Sequence, residues 1–223
     1  MALGSRPKPL VIVLVIAVVG ILAYWGLTAH QKRELDNTVT ASVQDASQRL
    51  RSALTVTAGP LEAVTMNVAE RINTDAEEVD RRLRAIKKME SSSNFALVDR
   101  ADSYLLTVRE ILKRLSGSHR NRLLLADSTR ALHDHIRVDT RTGSWVSEAV
   151  RSKARVDKDF RNYRIESEMA DKLLESFPAE QKRMVPYLGR AEIIEATLID
   201  DARSRASAAL KRAAAETDKF RLR

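Results

Sequence analysis

The residues best equipped for chemistry in this chain are its four histidines, His30, His119, His133 and His135. His133-Asp134-His135 is the cluster whose residue types match metal ligands. On a helix, side chains two positions apart point about 200° away from each other, so these two imidazoles cannot share an ion. The HExxH spacing of zinc hydrolases is also absent. The sequence therefore predicts no metal site and no cofactor.

Acidic residues occur in pairs such as Glu77-Glu78 and Asp200-Asp201, surrounded by Lys and Arg. This pattern is typical of surface ion pairs four positions apart, and we expect Glu78 to pair with Arg82 and Asp157 with Arg161. The chain has no cysteine, no glycine-rich phosphate loop and no G-x-S-x-G turn. We therefore expect a protein that is not an enzyme.

The element that must position everything else is the uncharged stretch Leu10–Ala29. Its length of about twenty residues matches a helix that crosses a hydrocarbon core of roughly 30 Å. It predicts three parts: a short segment 1–9, a transmembrane anchor 10–29, and a body 30–223. The proposed anchor side chains are apolar, with two amphipathic rings toward one end: Leu10, Val13, Ile16, Ile21, Tyr24 and Trp25.

A cleaved signal peptide is the closest alternative to an anchor. Leu27-Thr28-Ala29 is a poor cleavage site because a large residue stands where a small one is wanted. Arg6 and Lys8 nearly balance Lys32 and Arg33 across the span, so charge does not fix its orientation. A long body can be translocated regardless of charge. We therefore expect a single-pass protein of a bacterial inner membrane, with a cytoplasmic N-terminus and an extracytoplasmic body.

The composition of the body indicates helices. Aromatic residues make up 4% of the chain, with 7 Gly and 5 Pro, which is too few for a sheet protein with many turns. The predicted fold is all-α, with one transmembrane helix followed by an elongated antiparallel helical bundle or coiled-coil body. The net charge of +8 favours acidic partners, but acids are spread through the same helices and aromatics are few, so nucleic-acid binding is not favoured.

Apolar residues at alternating spacings of three and four predict the course of the helices. The first helix is expected to leave the membrane and end near Gly59-Pro60. Gly117 either forms a hairpin between two helices or kinks one long helix. Pro178 is expected to stop the next helix, because proline rarely continues one. The last helix is predicted over about Tyr187–Phe220, with alanines that permit close packing.

One basic segment lies at the end of the second predicted helix. If Gly59-Pro60 is a hairpin, this segment returns toward the bilayer, where cations attract anionic lipid headgroups. The alternative is a solvated helix face whose cations suit a helix carboxyl end. The candidate headgroup contacts are Arg81, Arg82, Arg84, Lys87 and Lys88.

These features favour a membrane scaffold or accessory subunit whose helical bundle binds other proteins. The expected partners are membrane lipids and other membrane or extracytoplasmic proteins, with self-association as an option. The alternative is an extracytoplasmic, sensor-type bundle that binds a small ligand between helices. Its pocket candidates are Tyr104, Trp145 and Tyr163.

Overall fold

A computed structural model describes the backbone of residues 9–60, 64–89, 94–137 and 144–220, with side chains from residue 29 onward. Within these ranges the chain is helical, without strands, which confirms the all-α prediction. The helices are α1 (Pro9–Ala58), α2 (Met66–Lys87), α3 (Phe95–Arg137), α4 (Trp145–Met184) and α5 (Ala196–Asp218), with a 3₁₀ turn at Val185–Tyr187.

The helices alternate in direction along the bundle. Arg49 pairs with Asp75 and Asp45 with Arg82, which sets α1 antiparallel to α2. α3 and α4 are also antiparallel, because both Ser103–Glu180 and Ser118–Ser167 link them. At 1.5 Å per residue, the 43 residues of α3 span about 64 Å. The predicted antiparallel helical bundle is therefore present, and it is elongated.

α1 follows the sequence prediction closely. It ends at Ala58, directly before Gly59-Pro60. The seam predicted from three- and four-residue spacing is buried, because these side chains face the other helices at intervals of about one turn. The buried positions of this seam are Val39, Val43, Ala46, Leu50 and Ala53.

The backbone of α1 includes the predicted anchor, since the helix begins at Pro9. The side chains of Leu10, Val13, Ile16, Ile21, Tyr24 and Trp25 lie outside the part of the chain whose side chains are described. Where the structure does describe the residues, no helix is both long enough and apolar enough to cross a bilayer.

Gly117 lies within one uninterrupted helix. α3 runs from Phe95 to Arg137, so the hairpin alternative is wrong at this position. A Cβ atom added at Gly117 would lie 3.1 Å from Cδ and Oε2 of Glu166 on α4. The glycine therefore lets α3 and α4 approach closely where the sequence had indicated a possible joint.

Pro178 does not stop its helix, so that prediction was wrong. α4 continues through it to Met184. Pro178 is exposed at the edge of the helix face on which Leu174, Phe177 and Gln181 are buried. Packing of that buried side on both flanks of the proline stabilises the helix and outweighs the lost backbone hydrogen bond.

The last helix begins later than predicted, at Ala196 and not near Tyr187. Before it, the Gln181 side chain binds the non-helical backbone at Ile194. Its Nε2 donates to the Ile194 carbonyl at 3.0 Å, and its Oε1 accepts from the Ile194 N–H at 2.9 Å. This paired contact satisfies backbone groups that a helix would otherwise have used.

Two apolar cores lie one above the other along the bundle. The larger core contains α1, α2, the first half of α3, the last part of α4, and the start of α5 with the segment before it. The smaller core consists of Leu125, Leu132, Val156 and Tyr163, and Phe220 beyond the end of α5 packs against it. The end of α5 therefore lies with the α3–α4 tip, far from the start of the bundle.

Candidate functional site

Between the two cores, the interior changes from apolar to polar. We call this layer the polar junction and define it by Thr57, Ser118, His119, Tyr163 and Ser167. All five are buried, on α1, α3 and α4. They line a cavity of about 30 Å³, which is enough for one water molecule. Because buried hydroxyl and imidazole groups need partners, the side chains of this layer constrain one another's positions.

The positions of these residues continue the apolar seams of their helices. On α3, Leu115 is followed by Ser118, His119 and then Leu125, all of them buried. On α1, Thr57 lies three positions after Leu54, and both side chains are buried. Polar residues at positions that continue an apolar seam are therefore the sequence feature that could have indicated this site. In the sequence, Ser116-Gly117-Ser118 had suggested a loop instead.

His119 is held neutral. Burial and, to a smaller extent, the positive charge of Arg122 together lower the pKa of its imidazole to about 4. The Thr57 hydroxyl donates to the Ala53 carbonyl at 2.9 Å and lies 3.0 Å from His119 Nε2. Since that hydroxyl has one hydrogen, it must accept from Nε2, which therefore carries the imidazole proton.

A second set of hydrogen bonds crosses from α3 to α4. The hydroxyls of Ser118 and Ser167 lie 2.8 Å apart. Burial raises the pKa of the Tyr163 phenol, although a hydrogen bond with Ser167 and the charge of Arg122 lower it in part. The phenol therefore stays protonated at neutral pH. The junction is thus a network of uncharged donors and acceptors with Arg122 beside it.

An ion pair between α4 and α5 lies at the edge of the cavity. Arg203 Nε donates to Asp171 Oδ1 at 2.7 Å, and Nη2 lies 3.3 Å from Oδ2, so the contact uses both carboxylate oxygens. This pairing raises the pKa of the Arg203 guanidinium. Beyond it, a groove of about 470 Å³ runs along the surface between the two helices. Small residues on α5 line the junction cavity: Ala202, Ala206 and Ala209. Of these, Ala206 also lines the groove.

The three ligand-pocket candidates lie in three different places. Tyr104 is fully buried in the larger core, where it bonds to Ser47 and its ring centroid lies 5.8 Å from that of Phe177. Burial raises its pKa to about 12. Trp145 lies at the far tip, stacked on His135 at 5.3 Å. Of the three, Tyr163 lines the junction cavity.

The basic segment of α2 is largely paired with acids of the bundle. Arg81 contacts Glu78 and Arg84 contacts Asp80, both along the same helix. Across helices, the contacts are Arg82 with Asp45 at 2.9 Å and Lys87 with Asp102 at 3.0 Å. Lys88 is exposed.

The predicted helix-surface pairs have mixed outcomes. Glu78 does contact Arg82, at 3.6 Å. Asp157 pairs instead with Lys153, which lies one turn earlier on the same helix, so the predicted Arg161 partner is wrong. Both positions are four residues from Asp157, and the sequence spacing alone does not distinguish them.

The other histidines are positioned separately. His30 and His133 are exposed. His135 Nε2 lies 3.0 Å from the Trp145 carbonyl, and Trp145 Nε1 donates to the His135 carbonyl at 3.1 Å. Among the residues that the structure describes, no three His, Asp or Glu side chains converge as metal ligands would.

The tip of the α3–α4 pair exposes apolar side chains. Ile136 is 44% exposed, Val146 62% and Val150 52%. They lie at the end of α3 and in the first turns of α4, next to the His135–Trp145 stack. Several apolar groups exposed at one end of a rod are a feature of protein-binding surfaces.

Comparison of the chain with protein-family models, with curated proteins and with solved structures finds no match in any of the three.

Proposed function

We propose that this chain is a non-enzymatic, single-span membrane protein whose helical bundle stands away from the bilayer and binds other proteins, as a scaffold or accessory subunit. The observation that carries the proposal is the exposed apolar tip formed by Ile136, Val146 and Val150. Such side chains cost free energy in water and gain it when a partner covers them.

The geometry supports a tip held far from a membrane. α1 continues without a break from the apolar stretch 10–29 into the packed bundle, and Leu35 is the first buried residue among those whose side chains are described. Thr57 lies level with His119, and α3 extends another 18 positions to Arg137. At 1.5 Å per residue, the tip would lie about 70 Å from a bilayer that ends near residue 29.

The same geometry ranks the candidate lipid contacts. Arg82 lies level with Asp45, which is about 24 Å along α1 from residue 29. Charges that far from a surface are screened at physiological salt, where the Debye length is about 8 Å. Lys88, six positions later on α2, would lie nearest to the headgroups. Lipid contact is therefore proposed for Lys88 before Lys87, and with least support for Arg81, Arg82 and Arg84.

The membrane part is tested by fractionating cells that express the full chain. We expect the protein in the membrane pellet after an alkaline carbonate wash and in solution after detergent. A variant with charges at the centre of the span, Val18→Arg with Ile21→Arg, should leave the pellet, because each central arginine costs about 2.5–3.5 kcal/mol of insertion. Full-length protein released by carbonate alone would contradict the anchor.

The docking part is tested by photo-crosslinking in the native membrane. A photoreactive amino acid at Val146 or Val150 should give discrete adducts with another protein. The matched control is the same amino acid at Arg161, which is exposed on α4 outside the tip. Equal adduct patterns from the tip and the control position would show that the tip is not a specific docking surface.

A further inference from the structure

The groove between α4 and α5 has the chemistry of a small-molecule site. Its volume of about 470 Å³ lies within the roughly 300–1,000 Å³ of typical ligand pockets. Ser167, Asp171, Arg203 and Ala206 line both this groove and the junction cavity, so the two spaces adjoin. We propose that the groove binds a small zwitterion of the neutral α-amino acid class, seated between Asp171 and Arg203. The site goes beyond the proposed scaffold role and does not depend on it.

The charges of the groove select this class of ligand. Two cations, Lys172 and Arg203, and two carboxylates, Glu168 and Asp171, line it, and a third carboxylate, Glu175, lies 3.6 Å from Arg203 beside it. A ligand with a single negative charge would meet both carboxylates, and one with a single positive charge would meet both cations. A zwitterion can place its carboxylate on Arg203 and its ammonium on Asp171, so it replaces both halves of the existing pair.

The ion pair can be opened at little cost. The Arg203 side chain is 29% exposed and that of Asp171 45% exposed. Pairs that are open to solvent contribute at most about 1 kcal/mol, so a ligand that remakes both contacts loses little by separating them. Glu175 lies 3.6 Å from Arg203 on the same helix as Asp171 and keeps the guanidinium near the groove.

The remaining lining suits the rest of such a molecule. Ser204 and Ser207 supply hydroxyl groups, and Ala206 and Leu210 supply apolar surface. Ala206 leaves room where a larger residue would fill this part of the groove. A short aliphatic or hydroxylated side chain on the ligand would therefore contact Ala206 and Leu210 while its charged end meets the ion pair.

The test uses the full chain in mild detergent, with calorimetric titration and thermal unfolding. The probes are glycine, alanine, serine, valine and leucine. At least one should raise the melting temperature in a concentration-dependent manner, since a ligand of the folded state stabilises it. Its amide, which lacks the carboxylate, and its deaminated acid, which lacks the ammonium, should each bind at least tenfold more weakly.

Variants locate the site. Asp171→Asn and Arg203→Gln should each reduce affinity at least tenfold, and Ala206→Leu should block the groove while the bundle stays folded. The matched control is Asp157→Asn, because Asp157 is 44% exposed and ion-paired on the same helix, away from the groove. The proposal fails if none of the five amino acids binds, if the amide or the acid binds equally well, or if Asp157→Asn weakens binding as much as Asp171→Asn. Such a failure would leave membrane insertion and tip crosslinking unaffected.

Discussion

Thr57 and His119 are 62 positions apart in the chain, yet Thr57 Oγ1 and His119 Nε2 lie 3.0 Å apart inside the bundle. This contact ties the last turn of α1 to the middle of α3, at the level where one apolar core ends and the next begins. Protonation of the imidazole would place a charge in a buried layer that already has Arg122 beside it. The stability of the junction therefore depends on a neutral His119.

We predict that acid destabilises the bundle through His119. Its pKa is about 4 in the folded protein and about 6.5 when unfolded. Because the folded value is the lower one, the stabilising contribution is complete above about pH 6.5 and is lost as pH falls through about 4. The total loss is roughly 3 kcal/mol. Urea unfolding of the detergent-solubilised chain at about pH 7.5 and about pH 4.5 measures most of it.

The variant that checks this assignment is His119→Gln, which keeps an N–H donor for Thr57 but does not titrate. Its unfolding free energy should change less between the two pH values than that of the unaltered chain, by about 2 kcal/mol. His133→Gln is the control, since His133 is exposed. If His119→Gln retains the full pH dependence, another group is responsible for the acid sensitivity.

A second prediction concerns Tyr104 and Ser47, whose hydroxyls bond to each other in the larger core. Tyr104→Phe or Ser47→Ala alone leaves one buried hydroxyl without its partner and should cost about 1–3 kcal/mol. The double variant should cost less than the sum of the two, because it removes both hydroxyls together. Chemical unfolding of the three variants gives the coupling energy. Additive costs would mean that this hydrogen bond contributes nothing.

The sequence was sufficient to predict the all-α class and the buried seam of α1. Three- and four-residue spacing identifies which side chains share one face of a helix, and Val39, Val43 and Leu50 are buried as this rule requires. The end of α1 at Ala58 was equally visible, because Gly and Pro follow it. These are local properties, which depend on neighbours along the chain.

The errors lie where contacts between helices override local preference. Pro178 is a poor helix residue, but Phe177 and Gln181 beside it are buried against other helices and keep α4 continuous. The candidate site was missed for the same reason. Ser118 reads as a loop residue next to Gly117, and only the α4 partner Ser167 shows that it belongs to a buried layer.

A third prediction concerns the close approach at Gly117. Replacing a helix-interior glycine by alanine gains about 1 kcal/mol of helix stability. Here the new methyl group would press on Glu166, whose carboxylate accepts from Arg114 at 3.2 Å. Gly117→Ala should therefore gain less than about 1 kcal/mol, and the full gain should return when the same change is made in a Glu166→Ala background. Thermal unfolding of the four proteins tests this, and an equal gain in both backgrounds would show that Glu166 does not limit the substitution.

The last prediction concerns how α5 is attached. Gln181 satisfies both backbone groups of Ile194, whose side chain is also buried. Gln181→Ala would leave an N–H and a carbonyl without partners in a closed interior, at about 1–3 kcal/mol for each group. Because this contact lies directly before Ala196, its loss should loosen the start of α5 before the rest of the bundle. Hydrogen exchange should then accelerate at Ile194 and in the first turns of α5, while the amides of α2 stay protected.

Gln181→Glu keeps one acceptor for the Ile194 N–H but opposes the Ile194 carbonyl, so it should accelerate exchange as well. Exchange that rises equally in α2 and α5 would mean that the contact supports the whole bundle and is not a local attachment of the last helix.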